Sequence, residues 1–173
     1  MGAIIGIGGK IGSGKTFWRN KISEYFECNS ISFSDWLKQI AKDKGIENID
    51  RYILQDIGAE VLHKGYDFIT KEILQYASWD SDSILVIDGI RDIGFYNYLK
   101  NFIYPNEGIL LYIKVEEKIR QKRINDRSEY SINEAHYSEG NSLLIEKNAD
   151  YIITELSTVD EVCKKIKTKL KLL

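Results

Sequence analysis

The sequence predicts an α/β protein in three layers, a five-stranded parallel sheet with helices packed on it. Three observations predict this. Short continuous apolar runs, of the kind buried on both faces, recur along the chain. Segments with apolar residues at helical spacing separate them. A glycine-rich run, residues 6–16, joins the first apolar run to the first helical segment. Right-handed crossovers between parallel strands then bring all strand C-termini to one edge, where a ligand crevice forms.

The elements follow in order. Ala3, Ile4, Ile5 and Ile7 form the first strand. Phe17, Trp18, Ile22, Tyr25 and Phe26 recur at helical spacing after Lys15. Residues 30–33 read as a short second strand and 35–44 as a helix. A longer helical region covers 50–76, with a break at Gly65. Residues 83–87 form an apolar strand ending at Asp88, and 93–102 a helix. Residues 108–115 make another buried strand, followed by a helix to about Arg127. Residues 128–142 are polar and without a period. Residues 151–154 form the last strand, and Val159, Val162, Ile166 and Leu170 mark an amphipathic C-terminal helix.

The 173 residues suit one domain spanning 1–173, with no linker or repeat. Hydrophobic residues make up 43% and charged residues 29%, ordinary values for a soluble protein. A net charge of −2 gives no global basic field for duplex nucleic acid or an anionic membrane. No apolar run approaches membrane-spanning length, and no leader pattern opens the chain. The two cysteines, Cys28 and Cys163, are isolated and have no metal spacing. They are expected to be free thiols in a reducing cytoplasm. The chain is expected to be a monomer or a homodimer.

Gly9, Gly14, Lys15 and Thr16 fit the phosphate-binding pattern G-x-x-x-x-G-K-[ST]. Glycines let backbone approach a phosphate closely, and N–H groups at a helix start hold the anion. Gly9, Lys10, Ile11, Gly12, Ser13, Gly14, Lys15 and Thr16 are therefore the expected phosphate cradle. Lys15 is placed for the β- and γ-phosphates, and the Thr16 hydroxyl for Mg²⁺.

Asp88 ends a buried strand and so falls at the ligand edge, where a carboxylate can hold Mg²⁺ directly or through water. Arg91, three residues on, can clamp a second phosphate or close a turn with Asp88. Asp35 follows the second strand. It can accept the proton of an attacking hydroxyl, orient Mg²⁺, or cap its helix with Ser34. Lys38, one turn later, reads as solvated. Arg120, Arg123 and Arg127 share one helix face at i, i+3 and i+7. That face suits a phosphoryl group in transfer; alternatively it is a solvated face with Glu116, Glu117, Gln121 and Lys122. His63 and His136 are far apart and suggest neither a metal site nor a Ser–His nucleophile. Tyr52, Tyr66, Phe68, Tyr76 and Trp79 are read mostly as core, with some free to stack on a base.

With these residues the chain resembles the P-loop nucleoside monophosphate kinases. More narrowly, it resembles phage-type deoxynucleoside monophosphate kinases, dephospho-CoA kinases and the archaeal adenylate-kinase-like group. The opening IIGIGGKIGSGKT matches their first strand and phosphate loop. FSDWLKQIA (33–41) resembles their F-[SA]-D-x-[LV]-[KR] segment, and DRYILQDIGAEVLHKG (50–65) the phage-type L-Q-x-x-G-T-E segment. VIDGIR (86–91) matches I-D-G-[IV]-R, the helix with Arg120, Arg123 and Arg127 resembles R-x-x-R-x-x-x-R, and ADYIIT (149–154) the A-D-[YV]-x-I-x-N ending. There are three departures: Phe95 and Tyr96 where a glutamate is frequent, His63 and Lys64 where an arginine is usual, and Glu155 where an asparagine is usual.

The resemblance implies transfer of the γ-phosphoryl of ATP, with Mg²⁺, to a small nucleotide acceptor, first a (deoxy)nucleoside monophosphate. Lys15 and Thr16 would serve ATP and Mg²⁺, Asp35 and Arg91 would face the acceptor, and the three arginines would close over the transferred group. It also implies a helical acceptor-binding insert over 35–76 and a lid over 120–142. Hydroxyl phosphorylation of dephospho-CoA is the second expectation. A nucleotide-dependent ATPase switch acting on a protein partner is the rival class. A kinase of polynucleotide ends would need a basic groove with aromatics, which the acidic balance disfavours.

Overall fold

Side-chain alternation along each strand divides the interior into two clusters, one on each face of the sheet. A computed structural model describes residues 2–126 and 141–171. Its strands are β1 (Ala3–Gly9), β2 (Asn29–Ser32), β3 (Ile84–Asp88), β4 (Glu107–Ile113) and β5 (Tyr151–Ile153). Its helices are α1 (Lys15–Phe26), α2 (Phe33–Asp43), α3 (Arg51–His63), α4 (Tyr66–Tyr76), α5 (Ile93–Phe102), α6 (Glu117–Asn125), α7 (Ser142–Asn148) and α8 (Val159–Lys169).

The strands run in the order β2-β3-β1-β4-β5, all pairs parallel, as the alternation of strands and helices predicts. Ile4, Leu85, Ile87, Leu110 and Tyr112 point into a cluster with α2, α3, α4, α5 and α7. Ala3, Ile5, Ile7, Val86, Ile109, Leu111 and Ile113 point the other way, into a cluster with α1 and α8. The edge strand β2, only four residues long, pairs with β3 alone among the described strands. Among the described residues, no helix is long and apolar enough to cross a membrane.

Several boundaries differ from the sequence expectation. Phe33 does not extend β2: it is the first residue of α2, where its ring packs edge-on against Trp36 and Phe95. The helical region 50–76 is indeed two helices, and Gly65 between them has a φ of 90°. α6 runs to Asn125 among the described residues. α7 begins at the end of the polar stretch 128–142 and was not expected from the sequence. Its Ile145 is buried, while Leu143 and Leu144 are exposed, so the segment carries no clean amphipathic period.

Candidate active site at the C-terminal edge of the sheet

The register brings the site together. Ile7 of β1 pairs with Asp88 of β3, and Asp88 pairs with Ser32 at the end of β2. The glycine loop between β1 and α1 therefore rises beside Asp88, and α2 begins on its other flank. Gly14 is the N-cap of α1 with φ 100° and ψ 23°, a left-handed conformation that favours glycine. No side chain caps this helix start. Gly12 is needed for close approach: a Cβ there would lie 2.9 Å from Ile124 Cγ1 and 3.0 Å from the Arg120 carbonyl oxygen. Lys15 Nζ folds back over the loop and donates to the carbonyls of Gly9 at 2.7 Å and Lys10 at 2.9 Å. Thr16 is exposed at the same end of α1.

Asp88 is 5% exposed, and its Oδ2 receives no hydrogen bond. Burial pushes its carboxyl up; Lys15 and Arg19 pull it back, Asp35 pushes it further up, and Arg91 draws it down. Arg19 Nη1 stands 3.7 Å from Asp88 Oδ2 and 3.6 Å from Asp35 Oδ2. Asp35 does not cap α2. It lies inside the first turn, and its Oδ1 accepts from Lys38 Nζ at 3.0 Å. Lys38 is half-exposed, so the solvated reading of that residue gains an ion pair. The Ser34 hydroxyl meets Ser32 Oγ at 2.7 Å.

The turn after β3 is closed by backbone, with the N–H groups of Gly89 and Ile90 both donating to the Ile7 carbonyl at 2.9 and 3.1 Å. Asp88 forms its ion pair with Arg19, and Arg91 acts on it through charge. Asp92 caps α5, accepting from the Phe95 N–H at 2.7 Å and from the Tyr66 hydroxyl at 2.9 Å. Tyr66 so ties α4 to α5. Tyr52 and Tyr76 are exposed rather than core, whereas Phe68 and Trp79 pack against the cluster with α2–α5.

α6 lies across the glycine loop. Arg120 is buried; its Nε and Nη2 donate to the two carboxylate oxygens of Glu117 at 3.0 and 2.6 Å, and its Nη1 donates to the Ile11 carbonyl at 3.1 Å. Arg120, with Gln121, pulls the Glu117 carboxyl down to about 2. Arg123 Nη1 donates to the carbonyls of Ser13 at 3.0 Å and Gly12 at 3.3 Å. Both arginines thus converge on the loop; the solvated-face alternative does not describe Arg120. Glu155, after β5, accepts from the Glu116 N–H at the start of α6, a bond that holds its carboxyl below the usual range. Arg127 and His136 lie outside the described residues.

These residues fit a hydrated Mg²⁺. Among the described residues no three His, Cys, Asp or Glu form a metal cage. Asp88 and Thr16 offer oxygen donors only, and Asp88 Oδ2 is buried with no hydrogen-bond donor of its own. Mg²⁺ suits such a site, since it takes one or two carboxylates and fills its octahedron with water and phosphate oxygens. Burial raises the thiols of Cys28 and Cys163 to about 11.

No known protein-family model matches the chain, and no curated protein matches it in sequence. Solved structures do match. Shikimate kinase from Acinetobacter baumannii in complex with shikimate is similar at a TM-score of 0.56 and 16% identity, over 98% of this chain and 93% of that one. A gluconokinase from Sinorhizobium meliloti gives 0.58 and 13%, over 98% and 91%. The APS kinase of Mycobacterium tuberculosis in complex with AMPPNP and APS gives 0.57 and 10%, over 98% of both chains. The chain has the P-loop kinase fold.

Within this P-loop kinase fold, Lys15, Thr16, Asp35, Asp88, Arg120 and Arg123 lie at the C-terminal edge of the sheet. Arg19 was not foreseen. A signal existed: it stands four residues after Lys15, and i, i+4 residues share a helix face. Glu117 carried a signal of the same kind, three residues before Arg120, whereas Glu155 gave none, because its partner is the distant Glu116 N–H.

Proposed function

We propose that this protein is an ATP-dependent phosphotransferase that moves the γ-phosphoryl of Mg-ATP to a small nucleotide acceptor, first a (deoxy)nucleoside monophosphate. The observation that carries this reading is the convergence on one glycine loop of Lys15, from the loop itself, and Arg123, from α6. A cation that now bonds loop carbonyls is poised to exchange them for phosphate oxygens. The loop N–H groups and Lys15 would hold the β- and γ-phosphates. Arg123, with Arg120 and Arg127, would balance charge on the transferring group. Thr16 and Asp88 would hold Mg²⁺, which would supply positive charge against the phosphates. Catalysis would rest on positioning and electrostatics.

The acceptor would lie between the β3 end, α2 and α4, facing Asp35 and Arg91. A nucleoside monophosphate is supported by the motif order and by Arg91 and Arg51 on that side. A hydroxyl acceptor such as dephospho-CoA is the second reading. It is favoured by Asp35, a half-exposed carboxylate at the acceptor side that can take a hydroxyl proton. The similar folds named for shikimate and gluconate widen that class.

The test is product analysis of Mg·ATP incubated separately with each nucleoside monophosphate, each deoxy form, dephospho-CoA, shikimate and gluconate. A new phosphorylated product in one or a few tubes establishes the kinase and its acceptor. ADP and free phosphate at one slow rate in every tube would instead indicate a nucleotide-dependent switch.

A further inference from the structure

We propose that Arg19 is a positioning residue whose guanidinium stands in for a divalent cation between Asp35 and Asp88, and yields the two carboxylates when that cation arrives. The inference rests on the phosphotransfer reading and adds a residue that neither the glycine motif nor the family resemblance includes.

The geometry is unusual for an arginine. Its planar fork ordinarily makes paired, short bonds to one carboxylate. Arg120 does so with Glu117 at 3.0 and 2.6 Å. Arg19 does not. One nitrogen, Nη1, stands between two carboxylates from different elements, 3.6 Å from Asp35 Oδ2 and 3.7 Å from Asp88 Oδ2. Both separations exceed hydrogen-bond reach, so the contact is charge balance without a locked bond. The Nε–H is turned to Asn20 Oδ1 at 3.4 Å. The Arg19 side chain is only 16% exposed, which keeps its charge poorly screened.

Asp88 completes the case. Its Oδ2 is buried and accepts no hydrogen bond, so its charge is opposed by nearby cations while its lone pairs stay available. A hard divalent cation can use those lone pairs; the guanidinium at 3.7 Å does not. The three residues also join the two halves of the site. Arg19 follows the loop on α1, Asp88 ends β3, and Asp35 opens α2 on the acceptor side. Loss of Arg19 therefore has two opposed consequences. Two neighbouring carboxylates lose their cation and bind a divalent ion more tightly. Asp35 loses one of the two cations that orient it, and turnover falls. A residue that merely supports the fold produces no such opposition.

The probe is Mn²⁺, with the unbound ion quantified by electron paramagnetic resonance on the full chain, without nucleotide. Arg19→Gln is expected to tighten Mn²⁺ binding about fivefold, and Arg19→Lys less than about twofold, because the ammonium keeps the charge. Adding Asp88→Asn to Arg19→Gln is expected to remove the gain. With the acceptor identified, Arg19→Gln is expected to lower kcat about tenfold while KM for ATP moves less than about threefold. Unchanged or weaker Mn²⁺ binding by folded Arg19→Gln overturns the proposal. Should that variant not fold, Mg²⁺ titration of the wild-type protein decides: the Arg19 Nε–H resonance shifts as the guanidinium is released, and an unmoved resonance overturns the proposal. Absence of product with every acceptor would sink the phosphotransfer reading but leave the Mn²⁺ result standing on its own.

Discussion

Ile145 stands where a side chain on Gly8 would have to go: a Cβ on Gly8 would lie 2.5 Å from Ile145 Cγ2. Through this contact α7 packs on the strand that leads into the glycine loop. Gly8→Ala is expected to cost about 1–3 kcal/mol by overpacking. Ile145→Ala is expected to cost about 2–5 kcal/mol through its cavity. The double variant should lose clearly less than the sum, since each change relieves the other. Urea unfolding of the four proteins measures this; additive losses would mean that the two residues do not share the space.

Lys15 Nζ donates to the carbonyls of Gly9 and Lys10 in the loop that precedes it, at 2.7 and 2.9 Å. Lys15→Ala is expected to lower kcat by about 10²–10³, the loss of one preorganised charge donor, with an unchanged circular-dichroism spectrum. Wild-type turnover in this variant would remove the loop from the chemistry.

Arg123 is exposed at the surface of α6 and reaches the Ser13 and Gly12 carbonyls. If it meets charge that develops only during transfer, Arg123→Ala lowers kcat and kcat/KM together, by about tenfold or more, with KM for ATP nearly constant. Steady-state kinetics with ATP varied decides it. A rise in KM with kcat intact would assign Arg123 to ground-state phosphate binding.

Asp88 carries a charge that the fold bears at a cost. Burial raises its carboxyl above the ordinary aspartate value of 3.8. The native state then holds a proton more firmly than the unfolded chain, so stability declines as pH rises from the ordinary value through the raised native one. Asp88→Asn should therefore melt higher than wild type at neutral pH. The difference should shrink as pH falls below that window, where both states of the wild type are protonated. Melting curves across pH 3–8 test the sign; a variant less stable at neutral pH would mean that the ion pair with Arg19 outweighs desolvation.

The sheet was legible because buried parallel strands read as unbroken apolar runs, and Ile84–Asp88 and Glu107–Ile113 are such runs. The loop was legible because its glycines and Lys15 are adjacent in sequence. Arg19 was hidden because its two carboxylates come from β3 and α2, which only the fold brings together. The Glu155 carboxylate had no readable partner for the same reason, since it accepts from the distant Glu116 N–H, whereas Glu117 and Arg120 stand at i, i+3 on one helix. α7 escaped because a seven-residue helix with one deep anchor, Ile145, shows too little period to detect.

The position of β2 has a consequence for how such a protein can diversify. The chain leaves the sheet for α2, α3 and α4 from an outermost strand of four residues and returns at β3. The segment from Phe33 to Tyr76 therefore lies outside the backbone ladders of β1 with β3 and β4, and what holds it to the sheet is the apolar face that Trp36, Ile57, Ile69 and Ile73 pack into the cluster with Ile4 and Leu85. A lineage could exchange one acceptor for another by remodelling this margin alone, while the loop and its lysine are inherited intact.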